Sequence, residues 1–234
     1  MHVFYTPEIE GNTYVLNEQE SKHCTQVLRM NLGDVLTLVD GKGGFYTAEI
    51  SNITKKQVAV NVLSKIGEYG KRPFYLHIAL APTKNIERTE WFLEKATEIG
   101  IDQVSMIICD RSERKVVKVE RLEKVITSAV KQSIKAYHPI IEDSISFLKF
   151  IKQYDHINYK YIAHCLDLPK TTLKESLTPS ETCLILIGPE GDFTPSEIQL
   201  ELDNGFKAIS LGESRLRTET AALAACFEAN YLNH

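Results

Sequence analysis

The sequence is poor in several residue types. Among its 234 residues it holds one tryptophan, three methionines and five cysteines. The cysteines stand at 24, 109, 165, 183 and 226, and no two form a C-x-x-C pair, so cysteines alone build no zinc site and no metal is expected. Cys109, Cys165 and Cys183 lie in or beside apolar runs and read as buried, reduced thiols of a cytosolic protein. No apolar run approaches the roughly 20 residues of a membrane span, so no membrane is expected as a partner. The opening MHVFYTPEIEG has neither a basic start nor a long apolar stretch and reads as no signal peptide, which makes the expected location cytoplasmic. A basic excess is lacking too. Formal net charge is −4, so a nucleic-acid partner does not follow from overall charge and needs a local patch. Internal repeats and low-complexity segments are absent.

What is there supports a core. Hydrophobic residues make up 43% and charged residues 25%, enough for one large domain or two small ones. The first seventy residues read as all-β. In DVLTLVDGKGGFYTAEI, Val35, Thr37 and Val39 face one way and Leu36 and Leu38 the other. DGKGG at 40–44 is a turn, and a strand resumes at Phe45. Residues 17–30, NEQESKHCTQVLRM, read as one short helix. Such a module resembles a small barrel, a class that often binds oligomers, RNA included.

GEYGKRP at 67–73 reads as a linker. The boundary is set at 71/72, giving a barrel over 1–71 and an α/β domain over 72–234. Beyond it strands alternate with helices. Apolar strands are predicted at 74–81, 103–110, 159–167, 182–188 and 208–212. A helix spans 85–100, with Asn85 as cap and Gly100 as stop, and Leu122, Val125, Ile126, Ala129, Val130 and Ser133 fall on one helical face. Apolar strands separated by helices imply a mostly parallel sheet covered on both faces.

Three predicted strands end in unusual chemistry: AHCLDLP, GPEGDF and LGESRLRTETA. In open α/β sheets, ligands bind beyond the carboxyl ends of strands. Gly188 and Gly191 allow close backbone approach or positive φ. Thr194, Pro195 and Glu197 form a capping box with proline at the first helical position. Neither GxxxxGK[ST] nor GxGxxG is present, and Glu190 would repel a pyrophosphate while accepting hydrogen bonds from a ribose or an amine. Near the C-terminus, Arg215 and Arg217 precede Thr218, a predicted helix cap, with Glu219 in the first turn. Ala221, Ala222, Ala224 and Ala225 predict a very close packing partner for that helix. Between 111 and 135, eight basic residues face three acids. That run is either a solvated face or a phosphate-binding patch.

At these residues the chain resembles the RsmE family, the small-subunit ribosomal RNA uridine methyltransferases of the SPOUT (trefoil-knot) class. GPEGDF is similar to that family's GPEGGF turn, and LGESRLRTETAALAA to its LG-x-R-I-L-R-T-E-T-A loop. HCTQVLRMNLGD, KNIERTEWFLEKATEIGI and AVKQSIKAYHPII match further blocks, in order, along nearly the whole chain. Departures are Asp192 where a third glycine is usual, Ser214 where arginine is usual, and Lys135 where arginine is usual. The last keeps the charge and loses the planar fork.

The resemblance implies an N-terminal PUA-like β-barrel and a C-terminal trefoil-knotted α/β domain, working as a homodimer. It implies S-adenosylmethionine as cofactor, wrapped by His164, Cys165 and Leu166, by Ile187, Gly188, Pro189, Glu190 and Gly191, and by Leu211, Gly212, Ser214 and Leu216. The implied reaction is methylation of N3 of one uridine in 16S rRNA of the small ribosomal subunit. Arg217 is assigned to stabilising the uracil or an adjacent phosphate. Glu219 is assigned as the base or as a structural acid. His23 and Arg29 of the barrel, with Arg111, Arg114 and Lys135, are the expected RNA contacts. Two alternatives stand beside this reading: a knotted methyltransferase acting on another RNA such as tRNA, and a non-catalytic RNA-binding protein of the same fold.

Overall fold

The structure, a computed structural model, describes residues 2–233. The chain forms two compact units. One comprises the residues up to Lys71 together with Thr127–His138; the other comprises Arg72–Ile126 and the residues from Pro139 onward.

The first unit holds β1 (Val3–Tyr5), β2 (Thr13–Val15), α1 (Glu18–Lys22), β3 (Val35–Val39), β4 (Phe45–Ile53) and β5 (Val58–Ile66). The strands form one curled sheet in the order β1-β3-β4-β5-β2, with β1 parallel to β3 and the rest antiparallel. Alternation fills its inside with Phe4, Leu16, Leu36, Leu38, Ala48, Ile50 and Val60. The turn at 40–44 closes on Asp40, whose Oδ1 accepts the N–H groups of Lys42 at 2.7 Å and Gly44 at 2.8 Å. Residues 17–30 are not one regular helix. Asn17 caps α1, but His23–Val27 widens into a π-helical turn closed by Leu28 N–H donating to His23 O at 3.0 Å, and Arg29, at φ +54°, ends it.

The second unit begins with β6 (Tyr75–Leu80), α2 (Ile86–Ile99), β7 (Gln103–Ile108) and α3 (Val119–Gln132), whose last residues, from Thr127, belong to the first unit. Next come β8 (Ile140–Ile141), β9 (Ile145–Ser146), α4 (Phe147–Gln153), β10 (Tyr159–Ala163), β11 (Thr171–Thr172) and α5 (Leu173–Ser176). It closes with β12 (Thr182–Ile187), α6 (Pro195–Asp203), β13 (Lys207–Ser210) and α7 (Thr218–Leu232). The sheet order is β11-β13-β10-β12-β6-β7-β8, with β9 on β7, and every pair is parallel. Strands covered on both faces must be apolar throughout, as the buried run Leu184–Ile187 shows.

One sheet face, with Ala79, Ile162, Leu184 and Leu186, packs on Phe147 and Phe150 of α4 and Ile198 of α6. On β6 and β12 rests α7, and α2 lies beside it. The close partner that the alanines predict is therefore α2 together with the sheet, and Ala222, Ala225 and Ala229 are fully buried there. Gly100, at φ +131°, stops α2 as expected. All five cysteines are free, but Cys165 is exposed rather than buried, because it lies in the loop after β10 and not in the strand. Among the described residues no helix is long and apolar enough to cross a membrane, and no group of three or more His, Cys, Asp or Glu could hold a metal ion.

Candidate active site

Parallel register brings four strand ends level. Ala163 of β10 pairs with Ile187 of β12 and Ile209 of β13, and Ile187 pairs with Leu80 of β6. The loops that follow, near 81–85, 164–170, 188–193 and 211–217, therefore open from one edge of the sheet.

Each loop is held by identifiable contacts. A Cβ added at Gly188 would stand 3.0 Å from Cδ2 and Cε2 of Phe193 and 3.2 Å from its backbone N. Close approach, rather than positive φ, is what this glycine supplies. The left-handed residue of the turn is Asp192, at φ +62°, which explains why glycine is natural there. Its carboxylate offsets that conformation: Oδ1 accepts the N–H of Phe193 and Oδ2 that of Cys165, both at 2.9 Å. The turn is thus tied to the loop after β10. Lys170 holds the same loop from below, its Nζ donating to His164 O at 3.0 Å and Leu166 O at 2.8 Å. Burial first, and then the Lys170 ammonium, hold the His164 imidazole below its ordinary pKa, so the ring is neutral at pH 7.

Thr194, Pro195 and Glu197 form the predicted capping box of α6. Glu197 Oε1 also accepts the N–H of Asp110 at 2.9 Å, joining the loop after β7 to the site. Thr218, in contrast, is not the cap of α7. Arg217 occupies that position, and its guanidinium has no acceptor with which to cap, while the Thr218 hydroxyl donates to Gly188 O at 3.1 Å.

Three cavities share this edge. The largest, about 570 Å³, is lined by Ala163–Leu166, Lys170, Asp192, Ile209–Leu216 and Ala221. A second, about 370 Å³, is lined by Arg88, Ala163, Cys165, Ile187–Glu190, Asp192, Arg215–Thr218 and Ala221. The third, about 280 Å³, is lined by Asn85, Glu87, Arg88, Trp91, Glu219 and Thr220. Eleven of the twelve proposed cofactor residues, all but Gly191, line the first two cavities. Arg217 lines the second. Glu219 lines only the third, where it faces Arg88 across 3.8 Å. Glu190 gives one oxygen to the Lys84 N–H at 2.9 Å, and its Oε2 is buried without a partner.

The expected RNA contacts fall in both units. His23 lies in the π-helical turn with its ring edge-on to Phe4 at 5.9 Å, and Arg29 is exposed two residues beyond that turn. Arg111 and Arg114 are engaged with backbone. Arg111 Nη1 donates to Gly191 O at 2.9 Å and Phe193 O at 3.3 Å, while Arg114 donates to Thr83 O at 3.1 Å and Lys84 O at 2.7 Å. Both buttress strand-end loops. Arg121 pairs with Glu90, and Lys131 with Glu20 at 2.7 Å, so part of the basic run is neutralised in place. Lys135 follows α3 in the first unit. Arg88 and Lys170 escape the sequence reading; nothing in helical or strand periodicity separates them from ordinary surface cations.

A fit to S-adenosylmethionine can be judged from these walls. They lack a phosphate cradle, offer charges of both signs (Lys170, Asp192, Glu190, Arg215), and leave one buried carboxylate oxygen unpartnered. A ligand with ribose hydroxyls, an ammonium, a carboxylate and no phosphate suits that donor set, and the volume lies within the usual range for small-molecule sites.

Comparison with known proteins agrees in extent and kind. A family model described as an RNA methyltransferase domain matches residues 70–229, and one described as an RNA methyltransferase PUA domain matches residues 16–63. The ribosomal RNA small subunit methyltransferase E of Buchnera aphidicola subsp. Acyrthosiphon pisum is 30% identical over 220 residues, covering 91% of this chain and 85% of that one. A crystal structure of a probable rRNA-methyltransferase from Porphyromonas gingivalis is 41% identical, with a TM-score of 0.94 over 100% of this chain and 98% of that one. A ribosomal RNA small subunit methyltransferase E from Neisseria gonorrhoeae, crystallised bound to S-adenosyl methionine, is 28% identical, with a TM-score of 0.90 over 99% and 98%.

Proposed function

Because the chain belongs to the ribosomal RNA small subunit methyltransferase E family, we propose that it methylates N3 of a uridine in 16S rRNA, with S-adenosylmethionine as donor. The observation that carries this reading is the pair of joined cavities at three level strand ends, lined by the residues that the family resemblance marks. S-adenosylmethionine, when bound, supplies the methyl group. His164–Leu166, Gly188–Glu190 and Leu211–Leu216 hold it, mostly through backbone groups on loops fixed by Asp192, Lys170 and Thr218. Asp192 and Lys170 keep those loops in place before any ligand arrives, which lowers the ordering cost of binding.

Arg217 stands exposed at the N-terminus of α7, where the helix dipole adds to its charge. There it meets the uracil as N3 loses its proton and negative charge spreads over the ring, or the adjacent phosphate. The barrel of residues 1–71 contacts RNA through His23 and Arg29, and the domain of residues 72–234 carries the transfer and the trefoil crossing that the resemblance implies. Arg111, Arg114 and Lys135 are further RNA contacts, with Arg111 and Arg114 also serving as struts. The protein acts in the cytoplasm as a homodimer. In support of the dimer, α7 exposes Phe227 and Tyr231, stacked 6.3 Å apart.

The test incubates the protein with methyl-labelled S-adenosylmethionine and small ribosomal subunits from cells lacking the gene. A single N3-methyluridine in 16S rRNA is the expected result. Label on tRNA alone would move the substrate, and failure to bind cofactor would end the enzyme reading.

A further inference from the structure

Arg88 is where two cavities meet. It lies in the first turn of α2, behind the Asn85 cap, whose Oδ1 accepts the Glu87 N–H at 3.2 Å. Its side chain, 40% exposed, lines both the cavity of Pro189, Glu190 and Arg217 and the smaller one beside Trp91. Its charged partner is Glu219, with Nε 3.8 Å from Oε1. The Glu219 side chain is only 9% exposed, and its Oε2 is buried without a hydrogen-bond partner. At that distance the carboxylate orients the guanidinium without consuming it, and the terminal N–H groups remain available as donors.

Arg217 lines the same cavity from the N-terminus of α7. With Arg215 they make three guanidiniums against the carboxylates of Glu190 and Asp192, a net positive lining that favours an anion. The loops after β10 and β13, with Lys170, supply the larger cavity and suit the cofactor. The smaller one serves both reactants: Gly188–Glu190 line it for the cofactor, and its arginines suit the other reactant, whose negative groups are phosphodiesters.

On the reading that this site methylates RNA, we propose that Arg88 is a second substrate-binding guanidinium, gripping a phosphodiester next to the target nucleotide. Glu219 is the positioning residue that aims it, and not the base. The carboxylate does not line the cavity that holds Arg217, and the cavity it does line is walled by Asn85, Glu87, Arg88, Trp91 and Thr220.

The test compares wild type, Arg88→Ala, Arg88→Lys, Glu219→Gln and the Arg88→Ala/Glu219→Gln double variant on small ribosomal subunits. It measures KM for RNA, kcat, S-adenosylmethionine Kd and Tm. Arg88→Ala raises KM for RNA about tenfold, the scale of one charge-assisted contact, with cofactor Kd unchanged within about twofold; Arg88→Lys recovers part of the loss. Glu219→Gln shifts KM in the same direction by less, and the double variant is no worse than Arg88→Ala. An unchanged KM in Arg88→Ala overturns the phosphate contact. A kcat collapse in Glu219→Gln that persists in the Arg88→Ala background makes Glu219 the base and overturns its positioning role. A fall of kcat at constant KM in Arg88→Ala moves the contact to the ring anion and overturns the phosphodiester assignment. A wild type that transfers no methyl to RNA sinks the underlying reading instead.

Discussion

Replacing Gly188 with alanine tests the turn most directly. The new methyl would sit 3.0 Å from two carbons of the Phe193 ring and 3.2 Å from Phe193 N, against the 3.5–4.0 Å of relaxed carbon contacts. A flexible side chain could yield, but Phe193 is fully buried, with Phe147 at 5.9 Å, and a backbone nitrogen cannot rotate away. Overpacking of this kind costs about 1–3 kcal/mol. The cost must appear in one of two places. If the ring yields, stability falls, and about 2 kcal/mol corresponds to a Tm lower by roughly 4–8 °C for a chain of this size. If the turn yields, Gly188–Gly191 moves into the cavity, and the same energy weakens S-adenosylmethionine about thirtyfold. Thermal unfolding and titration calorimetry on one sample read both. A variant with wild-type Tm and wild-type cofactor Kd would refute the packing argument.

Other perturbations bear on the remaining links. Arg111→Ala removes the donor to Gly191 O and Phe193 O; with solvent screening discounted the loss is about 1 kcal/mol, and cofactor Kd rises about fivefold while Tm barely moves. An unchanged Kd in calorimetry would reduce Arg111 to a surface cation. Arg217→Ala lowers methyl transfer to rRNA at least tenfold with cofactor affinity kept, the pattern for a group acting on the acceptor; transfer at the wild-type rate would remove that role. Glu201 is fully buried in α6 with neither oxygen partnered, and burial first, then Glu197, holds its carboxyl well above the usual range. The unfolded carboxyl loses its proton near pH 4, so this group erodes stability as pH rises from there toward its folded pKa. Glu201→Gln should therefore raise Tm at pH 8 and gain little at pH 4; an equal gain at both would contradict the linkage.

The sequence made the sheet legible because covered parallel strands must be apolar end to end, and 182–188 and 74–81 announce themselves that way. The capping box at Thr194–Glu197 was equally plain, since its two polar residues have fixed spacing and act locally. Long-range partners were not legible. Nothing near Gly188 in sequence says that the ring five residues on would occupy the place of its side chain. Thr218 has the chemistry of a cap, but a carbonyl 30 residues earlier claims its hydroxyl. Arg111 and Arg114 counted as positive charge in a run, and a charge count cannot distinguish an arginine bound to carbonyls from one facing solvent. The π-helical turn at His23–Val27 likewise follows from i to i−5 bonding that residue spacing does not encode.

The cross-links among the strand-end loops set an order in time. Lys84 waits for Glu190, Asp110 for Glu197, Arg111 for Gly191 and Phe193, and Arg88 for Glu219. Strand β6 itself lies between β7 and β12, and β12 begins at Thr182. The loops after β6 and β7 therefore hold one another early, through Arg114, but their ties to the turn after β12 wait until the residues beyond Thr182 have been made. A nascent or truncated chain ending before Glu190 lacks walls of both cavities, however well its earlier helices form, so ligand binding reports that the strand-end loops are all in place.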